Sequence, residues 1–192
     1  MLSIIDTHSL YRSASLLCSQ KDYKKFTDLI EKNPLFSINE DLNGESWNLL
    51  HTAAYFDFSA GLEYLINKGS NVNIEEKDGI TPLLLAVTNN SFSCIEILLN
   101  NNADITKSNK KGFTTLMSAA FNGNKDILEL LLNKSNNDFI QQKDIKGQTA
   151  LDYSKIKNNQ TIEILLEKIN VEQYLNINHL DIRNKKVVVN KL

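Results

Sequence analysis

Asn48-Leu49-Leu50-His51-Thr52-Ala53-Ala54 is followed by a second version of itself, Thr81-Pro82-Leu83-Leu84-Leu85-Ala86-Val87. A third follows, Thr114-Thr115-Leu116-Met117-Ser118-Ala119-Ala120. Asn48 to Thr81 is 33 positions and Thr81 to Thr114 is 33 again; a fourth version, Thr149-Ala150-Leu151-Asp152-Tyr153-Ser154, comes after 35. A fixed period of this size marks a stacked repeat architecture, in which each unit buries its apolar face only against its neighbours.

The unit from Asp78 to Lys107 shows the local logic. Asp78-Gly79 is a turn signal, because glycine takes the positive φ of a tight turn without cost. Thr81-Pro82 reads as a helix start: the threonine hydroxyl accepts from a free backbone N–H, and proline fits the first helical position. Leu83, Ala86 and Val87 then fall at i, i+3, i+4 on one stripe. Thr88-Asn89-Asn90-Ser91 breaks that stripe. A second helix follows over 92–101, with Ile95, Leu98 and Leu99 facing inward, and Asn100-Asn101-Asn102 supplies residues that tolerate the left-handed region at its end. Two helices this short are marginal alone in water and need the stack.

The other units follow suit. The third has Lys111-Gly112, the cap Thr114, the stripe Leu116, Ala119 and Ala120, the break Asn122-Gly123-Asn124, and Ile127, Leu128, Leu131 and Leu132. The first full unit carries Leu50, Ala53 and Ala54, then Leu62, Leu65 and Ile66. The last carries Gly147, Thr149 and Leu151, then Ile162, Leu165 and Leu166, which reads as one residue fewer between its helices.

Thr81-Pro82-Leu83 with Ala86, Leu50-His51 with Ala53-Ala54, the paired leucines, and Gly69 with Val72-Asn73 together resemble the ankyrin repeat. The resemblance covers about 43–168 and implies an all-α solenoid of stacked helix–turn–helix units. Departures occur: Leu84, Met117 and Asp152 stand where the first unit has His51, and Leu49 and Thr115 stand where the second has Pro82. Four repeats are expected, at 43–75, 76–108, 109–143 and 144–169. Residues 1–42 read as a degenerate capping repeat: Ala14, Leu16 and Leu17 suggest its first helix, Lys21-Asp22 the break, and Phe26, Leu29 and Ile30 the second, with a polar outer side as terminal repeats need. Residues 170–192 read as a C-terminal cap and tail, with Tyr174, Leu175, Ile177 and Leu180 able to cover the last repeat.

Composition narrows function. Of 192 residues 42% are hydrophobic, enough for a continuous core. The formal net charge of -2 argues against nucleic-acid binding driven by bulk charge. Cys18 and Cys94 read as buried small hydrophobes. His8, His51 and His179 are far apart and no Cys-x-x-Cys occurs, so no metal is expected. Neither a phosphate-binding loop nor a nucleophile elbow is present, and no cofactor is expected. The resemblance implies that His51, near Asp57, sits in the helix–turn framework, and Asp152, beside Tyr153, takes the equivalent slot, so neither reads as part of a catalytic pair. No apolar run approaches ~18 residues, so no membrane span is expected. The opening Met1-Leu2-Ser3-Ile4-Ile5-Asp6 lacks the form of a secretory signal, and the expected compartment is intracellular, cytoplasmic by default, with signal-less export as the alternative.

Proteins of the resembled family bind through the hairpin tips and the exposed side of the first helices, on the concave face. In that register the residue before each helix cap is Trp47, Ile80, Phe113 and Gln148. The residue after the alanine pair is Tyr55, Thr88 and Phe121, followed by Phe56, Asn89 and Asn122. Rings at water-facing turn positions are unusual, and a contiguous apolar patch marks an interaction site. The expected partner-binding residues are therefore Trp47, Tyr55, Phe56, Ile80, Thr88, Asn89, Phe113, Phe121 and Asn122, in one band; the alternative is that the rings fold down between neighbouring hairpins. Glu75-Glu76-Lys77-Asp78 and Lys107 to Lys111 place acidic beside basic character along one edge, either as a solvated rim or as a steering surface. The expected function is non-catalytic binding of a partner protein, without nucleic acid or membrane, by a chain that is monomeric alone. A narrower version is an inhibitor, immunity-type protein or host-directed effector that occludes one enzyme or toxin. An enzyme or a nucleic-acid binder that stacks bases on the rings fits less well.

Overall fold

The structure, a computed structural model, describes residues 7–34, 37–39, 47–134 and 137–170. The regular structure among them is helical: α1 (Thr7–Gln20), α2 (Tyr23–Glu31), α3 (Leu49–Tyr55), α4 (Ser59–Asn67), α5 (Pro82–Thr88), α6 (Phe92–Asn100), α7 (Thr115–Asn122), α8 (Lys125–Lys134), α9 (Asn137–Ile140) and α10 (Ala150–Ile156). A further helix, α11, spans 160–170.

The first helices start where the sequence places caps. Asn48 Oδ1 accepts from the His51 amide at 3.1 Å, Thr81 Oγ1 from Leu84 at 3.1 Å, Thr114 Oγ1 from Met117 at 3.2 Å and Thr149 Oγ1 from Asp152 at 3.4 Å. Each satisfies one of the amides that a helix start leaves without a partner. The break between the two helices of a unit is also chemically fixed. Lys21, Asp57, Asn90, Gly123 and Asn158 all have positive φ, from 51° to 73°. One left-handed residue in each of five units makes the chain reverse at the same point. The pair α1 and α2 thus reverses at the same point as the four helix pairs that follow.

Packing follows from this register. The first helices form one row, α1 on α3, α3 on α5, α5 on α7 and α7 on α10, and the second helices form another, α2 on α4 and α4 on α6. Ala53, Ala54, Ala86, Ala119 and Ala120 are buried between the rows, where small side chains let neighbouring helices approach. The core runs without a gap from Tyr11 to Leu166. Tyr11 ties the first unit to the second by a hydrogen bond between its hydroxyl and Thr52 Oγ1, 2.9 Å apart. Cys18 and Cys94 are free and buried, and burial pushes both thiols up to about 12.

Two expectations need correction. In α1 the side chain of Leu16 faces solvent, 56% exposed, while Tyr11, Ala14 and Cys18 make the apolar stripe. The last unit has no deletion between its helices. Thr149 to Asn158 spans the same nine positions as Thr114 to Gly123, and Ile162 and Leu166 take the buried places of Ile127 and Leu131. The two residues that stretch the period to 35 fall earlier, before the last hairpin, where α9 buries Phe139 and Ile140. Tyr174, Leu175, Ile177 and Leu180 lie outside the described residues.

Candidate protein-binding face

Hairpins between the units project beside the row of first helices, and one carboxylate or amide side chain organises each of them. In the first, Glu76 N–H donates to the Ile80 carbonyl at 3.0 Å, and the Glu76 carboxylate accepts from the amides of Asp78 at 2.7 Å and Ile80 at 3.0 Å. In the second, Asn109 Oδ1 accepts from the amides of Lys111 and Phe113, at 3.0 and 2.9 Å. In the third, Asp144 Oδ1 accepts from the amides of Lys146 and Gln148, at 2.9 and 2.8 Å. Glu76 is buried despite its place in a charged run; of the acidic edge read from the sequence, Glu76 is internal scaffolding while Glu75 and Asp78 are exposed. The hairpins also bond to each other, Lys110 N–H to the Asp78 carbonyl at 2.8 Å and Ile145 N–H to the Lys111 carbonyl at 3.0 Å.

His51 belongs to the framework. Its Nε2 lies 3.0 Å from the Ile80 carbonyl, which can only accept, so that nitrogen carries a proton; Nδ1 lies 2.9 Å from Asn48 Oδ1 and 3.4 Å from the Asn48 amide nitrogen. Asp152 does the equivalent work in the last unit: its Oδ2 accepts from the amide and the hydroxyl of Thr149, both at 2.8 Å, and these bonds hold its carboxyl below the usual range.

The rings expected in one band fall into two groups. Near the N-terminal end, Tyr55 is exposed and Trp47 and Phe56 are half-buried. The Trp47 and Tyr55 ring centres are 5.4 Å apart, Tyr55 meets Phe56 edge-on at 5.0 Å, and Trp47 stacks over His51 at 6.4 Å. Toward the C-terminal end, Phe113 and Phe121 are half-buried and both meet Tyr153 edge-on, at 5.1 and 6.1 Å. The Lys157 ammonium lies 4.4 Å from the Phe121 ring centre, within cation–π range.

Between the groups the face is mixed. Ile80 is half-buried, and Thr88, Asn89 and Asn122 are exposed. Their polar groups are already engaged within the chain. Thr88 Oγ1 reaches the Leu84 carbonyl at 2.7 Å and Ser118 Oγ at 2.9 Å. Asn89 Nδ2 donates to Leu85 at 2.9 Å, and Asn122 Nδ2 to Val87 and Thr88 at 3.2 and 2.9 Å.

Two further side chains belong to this face and are not among those expected from sequence. Tyr153 joins Phe113 to Phe121 and donates its hydroxyl to Asp144 Oδ2 at 2.9 Å. Ile156, 53% exposed, extends the column of Tyr55, Thr88 and Phe121 by one unit. Its position was readable, because Phe121 to Ile156 repeats the spacing of 35 between Thr114 and Thr149. Tyr153 had no such signal: its column elsewhere holds Thr52, Leu85 and Ser118.

A family model of ankyrin repeats, three copies long, matches residues 15–109 and again residues 104–178. The chain belongs to the ankyrin-repeat family, whose members are in general protein-interaction modules and typically non-catalytic. No curated protein matches it. Among the described residues no helix is long and apolar enough to cross a membrane, and no group of His, Cys, Asp and Glu side chains could hold a metal ion.

Proposed function

We propose that this chain binds a folded partner or peptide across the hairpins and first helices, with its rings as anchors. The observation that carries this reading is the column Tyr55, Thr88, Phe121 and Ile156. At its ends Tyr55 and Ile156 are 42% and 53% exposed, Tyr55 beside half-buried Trp47 and Phe56 and Ile156 three residues on from half-buried Tyr153 in α10, where a helix facing only water would carry polar residues. Aromatic side chains already half-fixed by their neighbours lose little freedom on docking, and rings of this kind dominate binding energetics. Nothing in the site supports acid–base or nucleophilic chemistry: His51 and Asp152 are both committed to framework bonds.

Affinity capture from the native host tests it, with the wild-type chain against Tyr55→Ala/Phe121→Ala/Ile156→Ala. The variant should keep its helical circular dichroism and lose the protein that the wild type retains. Equal capture by both would remove this face as the binding site.

A further inference from the structure

The second and third hairpin tips carry exposed ammoniums that form no ion pair among the described residues. Lys110, Lys111, Lys143 and Lys146 are exposed on two adjacent tips, which the bond from Ile145 N–H to the Lys111 carbonyl holds together. None of the four takes part in the ion pairs formed among the described residues, which use Lys21, Lys25, Lys32, Lys68, Lys107, Lys125 and Lys155. Apart from Asp78, the acidic groups nearby are engaged, Asp152 by the amide and hydroxyl of Thr149. Glu75 pairs with Lys107, Glu76 is buried under its own hairpin, and Asp144 is held by two amides and the Tyr153 hydroxyl. Only on the first tip do Lys77 and Asp78 stand exposed side by side and balance.

This basic half of the edge is continuous with the second group of rings. Phe113 closes the hairpin that bears Lys110 and Lys111, since Asn109 N–H donates to its carbonyl at 3.1 Å. Tyr153, bonded to Asp144 beside Lys143, links Phe113 to Phe121, and Phe121 carries the Lys157 ammonium over its face. From the tips to Ile156 the surface therefore carries ammoniums, three rings, a further ammonium and an aliphatic side chain. It stands on a chain whose net charge is -2, so bulk composition does not produce it.

We infer that the partner segment bound by the second and third hairpins, with the helices α7 and α10 that follow them, is an acidic stretch of protein with an apolar or aromatic anchor. Its Asp and Glu side chains lie along Lys110, Lys111, Lys143 and Lys146, and its anchor rests on Phe121, Tyr153 and Ile156. This rests on the binding face proposed above and adds the charge class of what docks there. The exposed lysines speed encounter and fix orientation, while the rings hold the complex. A nucleic acid is disfavoured because only four such ammoniums line the edge and Asp78 adjoins them.

The test is a random peptide library selected on the full chain, followed by binding of the selected peptides to three proteins. These are the wild type, Lys110→Glu/Lys111→Glu/Lys143→Glu/Lys146→Glu, and Lys→Gln at the same four positions. Circular dichroism and thermal unfolding of both variants should match the wild type, because all four side chains are exposed. Selected sequences should be enriched in Asp and Glu around one apolar residue. Their affinity should fall at least about tenfold with the Glu variant, fall less with the Gln variant, and weaken between about 50 and about 300 mM salt. Binders without acidic enrichment that survive the Lys variants but fail on Tyr55→Ala/Phe121→Ala/Ile156→Ala would overturn the charge assignment and leave the binding face standing. Binders indifferent to both sets, or an empty selection, would remove both. A single-stranded oligonucleotide that bound the wild type more tightly than the selected peptides, and lost that binding with the Glu variant, would also overturn an acidic protein partner.

Discussion

His51 of one unit holds the hairpin of the next: its Nε2 donates to the carbonyl of Ile80 across 3.0 Å, at a buried position. That carbonyl also accepts from Glu76 N–H, so His51 ties a helix start, a hairpin and the neighbouring unit together. The next two units place Leu84 and Met117 at the same point, both buried. His51→Leu therefore keeps an apolar filler that this fold accepts and removes only the polar link. Asn48 loses its contact with Nδ1 and Ile80 loses one of two donors. The expected loss is about 1–2 kcal/mol in urea unfolding. A loss below about 0.5 kcal/mol would show that the link carries no net stability.

Leucines at the inner stripe should answer differently from Leu16. Leu83 and Leu116 are buried, and either one changed to Ala should cost about 2–5 kcal/mol through lost burial and the cavity left behind. Leu16→Ala, at a side chain 56% exposed, should stay within about 0.5 kcal/mol. Equal effects at Leu16 and Leu83 would show that the phase of α1 is wrong.

The parts of the fold legible in the sequence are those where the backbone demands a residue type. Helix caps demand a short acceptor side chain, met by Asn48, Thr81, Thr114 and Thr149, and tight hairpin turns favour glycine, met by Gly79, Gly112 and Gly147. Those positions repeat visibly and set the register. Apolar spacing alone was weaker. Ile162, Leu165 and Leu166 satisfy the i, i+3, i+4 pattern in either of two phases, and only the left-handed turn at Asn158 selects the right one. The hairpin braces were hidden for a different reason. Glu76, Asn109 and Asp144 share a function, an oxygen that accepts two amides, but not an identity. At the candidate face the column of rings could be read from the register, yet its division into two groups could not. Tyr153 enters through a hydrogen bond to Asp144 that no repeat position announces.

Two hairpin glycines with the same backbone should differ in tolerance. Gly112 and Gly147 have φ of 74° and 77°, so alanine at either must adopt the left-handed region, at a cost of roughly 1–2 kcal/mol. At Gly147 a new Cβ meets nothing within 4 Å, whereas at Gly112 it would stand 2.9 Å from the Asp144 Cα and 3.3 Å from the Lys143 carbonyl oxygen. Backbone cannot swing aside as a side chain can. Gly112→Ala should therefore lose measurably more stability than Gly147→Ala, because it must also push the last hairpin away. Matching unfolding midpoints for the two variants would mean that the hairpins do not press on one another.

Acid should weaken the last unit through Asp152. Hydrogen bonds from the Thr149 amide and hydroxyl hold its carboxyl below the usual range. A folded-state pKa below the unfolded one means that the charged form is stabilised by folding. The contribution is complete above the unfolded value of about 4, and it is lost as pH falls through that value toward the lower folded one. Wild-type stability should therefore drop between about pH 5 and about pH 3. Asp152→Asn keeps an acceptor for Thr149 without a titrating charge. Its urea midpoint should start lower at neutral pH and decline less on acidification, so that the two curves converge. Parallel curves would show that the Asp152 charge contributes no stability, and the acid sensitivity of the fold would then lie elsewhere.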